Sequence, residues 1–195
     1  MAIGDLLGER AVARRAVHAT GSAIPIGALV VPGATWPRIQ ALLVVLVLIA
    51  IALEAIRLFV GLEWRIFELL TRSYEADNLA GYALFAIGMV LTGLLFGPSV
   101  AIPAMLMLTL GDPISGLLND ADGPGRKPWP VMAAMFAVCT AFALAFVEPI
   151  AAVAGGLVAT AADGLNPRIR GYVIDDNLTI APGAATAMAL VGAVV

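Results

Sequence analysis

The sequence predicts an all-α polytopic membrane protein. It would be a single helical bundle over residues 1–195 with about seven transmembrane helices, N-terminus cytoplasmic and C-terminus outside. Three observations lead there. The chain is 61% hydrophobic and only 13% charged, whereas soluble domains run at about 45–50% apolar and about 25% charged. Seven apolar stretches approach the roughly 20 residues that a spanning helix needs. With those spans in place, ten of the eleven Lys and Arg residues fall on one side of the membrane, the asymmetry that sets orientation.

The predicted spans run in order over about 17–36, 39–60, 79–96, 99–118, 129–147, 150–165 and 180–195. The first is interrupted by Pro25 and Pro32, and the last two are short, at roughly 24 Å each for a rise of 1.5 Å per residue. Arg10, Arg14 and Arg15 precede the first span, and Arg57, Arg65 and Arg72 flank the connection from the second to the third. Arg126 and Lys127 lie between the fourth and fifth, and Arg168 and Arg170 between the sixth and seventh. All of these become cytoplasmic with the N-terminus inside, leaving only Arg38 outside. The outer connections are minimal and the inner ones long and charged, which points to work on a cytoplasmic substrate at a multi-pass protein of the cell membrane. The acidic residues before the first span and its glycine and proline breaks do not fit a signal peptide. The single Cys139 excludes a disulfide framework, and a net charge of −3 gives no reason to expect a nucleic-acid partner.

Ionisable residues near or within a bilayer are costly and mark function. Asp175-Asp176-Asn177 opens the last span; adjacent carboxylates suit a hard cation such as Mg²⁺, which shares oxygen ligands with substrate phosphates, but a solvated turn would read the same. Asp112, between Gly111 and Pro113, sits within the fourth span, where Pro113 disfavours regular helix. It reads either as a ligand or as a cap on the second half-helix. Glu54 and Arg57 share a helical face near the end of the second span and read as an ion pair or as polar support to a site. Arg14 and His18 share a face before Thr20, but one histidine without a second His or Cys ligand argues against a zinc site. Lys127 ends a glycine-rich basic loop that could close on phosphate, although the P-loop spacing is absent. Arg168 and Arg170 precede the acidic pair, suiting phosphate beside metal or a self-neutralising loop. Ala151, Gly155 and Ala159 form a small-residue stripe for close helix packing.

Together these landmarks resemble the CTP-dependent polyprenol kinase family, which includes dolichol kinase, phytol kinase and the CTP-using diacylglycerol kinases. The matching residues run along nearly the whole chain: Arg14-Arg15-x-x-His18, Glu54-x-x-Arg57, the Gly81 to Gly88 entry, Gly111-Asp112-x-x-Ser115, Lys127, and Asp175-Asp176-Asn177-Leu178-x-Ile180-x-Pro182. The last motif is the most specific. Where family members follow the loop lysine with a Ser-x-Glu-Gly-Ser-like stretch, this chain has Pro128-Trp129-Pro130-Val131-Met132.

The resemblance implies Mg²⁺-dependent transfer of a phosphoryl group from a nucleoside triphosphate, CTP, to the hydroxyl of a membrane isoprenoid alcohol of the dolichol or prenol type. It implies catalytic roles for Asp112, Asp175, Asp176 and Asn177, with Asp112 and Asp176 on the metal. Lys127, Arg168, Arg170, Arg15 and His18 would bind nucleotide or phosphate, supported by Glu54 and Arg57. A fainter resemblance to CTP-using lipid cytidylyltransferases gives one alternative. A transporter or non-enzymatic membrane subunit with a buried acidic ion path gives another.

Overall fold

The computed structural model describes residues 3–61, 64–72, 75–76, 78–119, 126–165, 168–169, 172–173 and 175–194. These form an all-helical bundle, with one short antiparallel pairing of Arg168–Ile169 and Tyr172–Val173. The helices are α1 (Ile3–Gly21), α2 (Ala23–Val30), α3 (Trp36–Ala55), α4 (Arg65–Leu70), α5 (Gly81–Leu95), α6 (Pro98–Leu106), α7 (Asp112–Leu117), α8 (Trp129–Leu144), α9 (Pro149–Leu165) and α10 (Asp176–Gly192). Each predicted span coincides with helix, with local differences that have identifiable causes.

The first predicted stretch, 17–36, is not one uninterrupted helix. Only Ser22 separates α1 from α2, and the chain leaves the helix after Val30. Pro25 is tolerated because it lies in the first turn of α2, where its missing N–H has little helical use. Pro32 stops the helix, and Gly33 then turns the chain at φ +81, a left-handed conformation that glycine adopts without a Cβ penalty. Arg38 locks the turn by donating to the Gly33 carbonyl at 2.6 Å.

Two segments, Trp36–Val60 and Pro98–Leu117, are long and apolar enough to cross a membrane; α5, α8 and α9 are apolar but shorter. Their environments differ. Only 28% of the apolar window in the first is buried, against 67% in the second, so Pro98–Leu117 forms the centre of the bundle and α3 lies at its edge. Leu42, Val45, Leu48, Ile49 and Ile51 on α3, with Leu157 on α9 and Leu190 on α10, face outward. Glu54, Asp163 and Asn177 are buried. Large apolar side chains outside and charge inside invert the arrangement expected in water.

The central segment is continuous, with a π-turn over Met107–Gly111 joining α6 to α7. The Asp112 N–H reaches back to the Met107 carbonyl, and the next residue, Pro113, has no N–H to donate. A widened turn accommodates that missing donor, and such turns recur at functional sites. The helix therefore widens rather than breaks, and no side chain caps α7.

Small residues set the helix spacings. α10 packs on α9, α5 and α6. The stripe of Ala151, Gly155 and Ala159 is buried, and a Cβ at Gly155 would lie 2.6 Å from Met188 Cγ on α10. At Gly88 on α5, a Cβ would lie 2.5 Å from the backbone oxygen of Asn177. Gly88→Ala is expected to cost about 1–3 kcal/mol, the usual penalty for overpacking, because the obstacle is backbone. Gly27→Ala, whose nearest neighbour atom is 3.9 Å away, should instead stabilise by up to about 1 kcal/mol through helix propensity. Unfolding of the two variants in detergent compares them directly.

Candidate functional site: three carboxylates at one end of the bundle

Asp112 begins α7, Asp163 lies in the last turn of α9, and Asp176 begins α10. The bundle brings one oxygen from each within 4.8 Å of the others. Asp163 and Asp176 are buried, and the Asp112 side chain is 17% exposed. Three carboxylates so close repel one another strongly away from water, so the fold must supply positive charge.

Lys127 supplies it, and His18 adds a hydrogen bond. Lys127 Nζ lies 2.7 Å from Asp163 Oδ1 and 3.1 Å from Ser115 Oγ, to which it donates. The Ser115 hydroxyl in turn donates to Asp163 Oδ2 at 2.7 Å. Lys127 is held from behind by its own backbone N–H, which donates to the Gly164 carbonyl at 3.1 Å. On the other side, His18 Nδ1 lies 2.9 Å from Asp112 Oδ2, and its ring stacks on Phe85 at 4.7 Å. Gly111 lets α8 approach the central segment, since a Cβ there would sit 3.0 Å from Cys139 Sγ on α8.

Around Asp176 lies a second set of polar contacts. Asp175 caps α10 and accepts from the Asn177 N–H at 3.0 Å, an arrangement that satisfies an otherwise orphaned helix donor. Asn177 Nδ2 donates to the same Asp175 oxygen at 2.6 Å. Arg72 reaches Asp175 at 3.6 Å and Glu75 at 3.8 Å. The Arg72 N–H also donates to Glu75 Oε2 at 2.9 Å. Burial pushes the Glu75 carboxyl above its ordinary value, against the pull of Arg72.

Glu54 and Arg57 stand apart from the carboxylates and act as a brace. Arg57 forks onto Glu54 with contacts of 3.0 and 2.6 Å. Glu54 also accepts from the Ala80 N–H at 2.8 Å and from the Tyr82 hydroxyl. Arg57 donates to the carbonyls of Ala76 and Asn78. These bonds fasten the chain before α5 and hold Gly81 against Asn177, where a Cβ would sit 3.1 Å from Nδ2.

The geometry therefore joins Asp112, Asp176, His18 and Lys127, with Asp175 and Asn177 alongside. Arg15 lies over Gly116 of α7, its Nε 3.1 Å from where a Cβ would stand. Rather than reaching out from a loop, the Lys127 ammonium is turned inward onto Asp163. Arg168 belongs to the short strand pairing, and Arg170 lies outside the described residues. Asp176 and Asn177 are buried, which overturns the solvated-turn alternative. Asp163 was missed by sequence reading, although a carboxylate late in the apolar stretch 150–165 is the signal that singled out Asp112. Ser115 entered only as part of the Gly111-Asp112-x-x-Ser115 landmark, and Arg72 and Glu75 carried no comparable local signal.

The donor set fits a magnesium ion. Octahedral Mg²⁺ holds oxygens at about 2.0–2.1 Å, which places its ligands about 3–4 Å apart, and small side-chain adjustments would bring Asp112, Asp163 and Asp176 to that spacing.

Two stability measurements probe this arrangement. Lys127→Met strands the buried Asp163 charge and should cost about 3–5 kcal/mol, while adding Asp163→Asn should recover most of it; denaturation in detergent without divalent cations reads both. Glu75 binds its proton more tightly folded than unfolded, so its contribution is present below the ordinary value of 4.5 and lost as pH rises through the raised one. The wild type should lose stability relative to Glu75→Gln as pH increases across that window, measured as the difference in Tm. No family model matches the chain, and no curated protein or solved structure matches it either.

Proposed function

We propose that this chain is a multi-pass membrane phosphotransferase that moves the terminal phosphoryl group of a nucleoside triphosphate to the hydroxyl of a lipid alcohol. The observation that carries this reading is the convergence of Asp112, Asp163 and Asp176, with Lys127 and His18 bonded to two of them. Phosphoryl transfer needs positioning and charge neutralisation more than covalent help from the protein, and this site offers both. The resemblance to CTP-dependent polyprenol kinases supports CTP as donor and an isoprenoid alcohol as acceptor.

Seven spans, with the N-terminus in the cytoplasm and the C-terminus outside, accord with the outward-facing Leu and Ile residues and with the asymmetry of the basic residues. That orientation faces the carboxylates toward cytoplasmic nucleotide. The lipid tail stays in the bilayer while its hydroxyl approaches from the membrane edge.

Asp112, Asp163 and Asp176 would hold Mg²⁺, which when bound neutralises phosphate charge. His18 keeps Asp112 oriented, and Lys127 and Ser115 do the same for Asp163. The alcohol oxygen forms a bond to the γ-phosphorus as the bridging bond to the β-phosphate oxygen breaks, and that electron pair leaves with the nucleoside diphosphate. Little proton transfer is needed until the new bond forms in a loose transition state. The Glu75 carboxylate, buried beside Asn177, then takes the hydroxyl proton.

Incubating the purified chain with γ-labelled CTP, Mg²⁺ and geranylgeraniol should yield labelled lipid phosphate. Asp112→Asn and Asp176→Asn should each reduce the rate by at least about a hundredfold, as expected when charge stabilisation in the transition state is lost. No labelled lipid across several alcohols and nucleotides would refute the kinase reading. Label entering from the α-phosphate with release of pyrophosphate would make the chain a cytidylyltransferase, and ion flux without nucleotide dependence a transporter.

A further inference from the structure

Asn177 has a hydrogen-bonding capacity that the described residues leave unmet. Its Nδ2 faces Asp175 Oδ1 at 2.6 Å and Asp176 Oδ1 at 3.3 Å. That fixes the amide, because the reversed orientation would set its carbonyl against two carboxylates. Its Oδ1 is then a buried acceptor without a partner among the described residues, on a residue only 2% exposed. Buried polar groups are nearly always paired, and an exception calls for an explanation.

Asn177 lines a cleft between α1, α4 and the start of α5, together with Val17, His18, Leu70, Glu75 and Tyr82. The cleft encloses about 330 Å³ including its open mouth. The unmet group is an acceptor and needs a donor; phosphate oxygens carrying charge supply none. A hydroxyl does.

The surroundings suit a lipid bearing that hydroxyl. Val17 and Leu70 give the cleft an apolar part, and Arg14 and Arg72 give it a basic one. Beside it α4 presents Ile66, 47% exposed, next to Trp64, 46% exposed, and Trp residues are favoured where a membrane meets water. Two residues of its wall contact the carboxylates. His18 joins its wall to Asp112 at 2.9 Å, and the Asn177 N–H donates to Asp176 Oδ1 at 2.9 Å.

We infer that Asn177 Oδ1 accepts the hydrogen bond of the acceptor alcohol's hydroxyl, so that Asn177 selects a lipid alcohol and positions its oxygen beside the three carboxylates. This rests on the phosphotransfer reading. The hydrogen bond holds the hydroxyl before reaction, and the proton passes to Glu75 only as the new oxygen–phosphorus bond forms.

The test uses the full chain with Mg²⁺, CTP and geranylgeraniol, and Asn177→Ala beside the wild type. KM for the alcohol should rise about tenfold, the size expected for one hydrogen bond to a buried group, with KM for CTP within about twofold. A second readout separates recognition from structural damage: inhibition by the deoxy hydrocarbon analogue, which lacks the hydroxyl. The wild type should prefer the alcohol over this analogue by about tenfold or more, and Asn177→Ala should lose that preference. If the variant turns over too slowly, displacement of a fluorescent prenyl alcohol by the two compounds gives the same comparison. A preserved preference, or a rise in KM for CTP equal to that for the alcohol, overturns the inference while leaving the phosphotransfer reading intact. A wild type that phosphorylates no alcohol overturns both.

Discussion

Everything at the polar end of this bundle depends on balancing three carboxylates that an apolar fold has forced together. Asp112, Asp163 and Asp176 come from three helices and meet within 4.8 Å. An arrangement of that kind persists only with compensating charge and hydrogen bonds, because isolated ions lose far more by leaving water than they regain. Lys127 and His18 each bond one of the three. Asp176 is bordered by the Asn177 amide and by Asp175, which Arg72 approaches. A divalent cation at the centre would complete the balance, joining the stability of this end of the bundle to its chemistry.

The surrounding architecture brings the carboxylates together by close backbone approach rather than by long side chains. The π-turn before Asp112 accommodates the missing donor of Pro113 without breaking the central helix. Gly88 lets α5 touch the backbone of Asn177, Gly155 lets α9 receive Met188, and Gly111 admits Cys139 from α8. The Glu54–Arg57 pair acts at a distance. By gripping Ala76, Asn78 and Ala80, it sets the start of α5, and through Gly81 the wall against which Asn177 rests.

Much of the helical plan was legible along the chain. Long apolar stretches have few alternatives to helix, and prolines at their starts mark where backbone donors are dispensable. Asp112 and Asp176 were legible because charge in an apolar stretch is conspicuous. Asp163 followed the same rule but sat near the end of a stretch that otherwise read as a packing stripe. Lys127 was legible as a basic loop residue, yet its inward turn depends on Asp163, 36 positions away. The grouping of Arg72 and Glu75 with Asp175 likewise depends on how the segment before α5 folds back, which no local pattern encodes.

The sequence by itself determined an all-helical, strongly apolar chain, the placement of its helices, and the types of residue available for chemistry, because periodicity, length and hydrophobicity act locally. Only the tertiary structure decided which of those residues meet. Whether Asp176 was solvated or buried, and which acid joined Asp112, were settled by packing. So was the oxygen of Asn177, unpartnered among the described residues. Contacts between residues far apart in sequence follow from which helix surfaces can approach, and that is set by the shapes of many side chains at once rather than by any one segment.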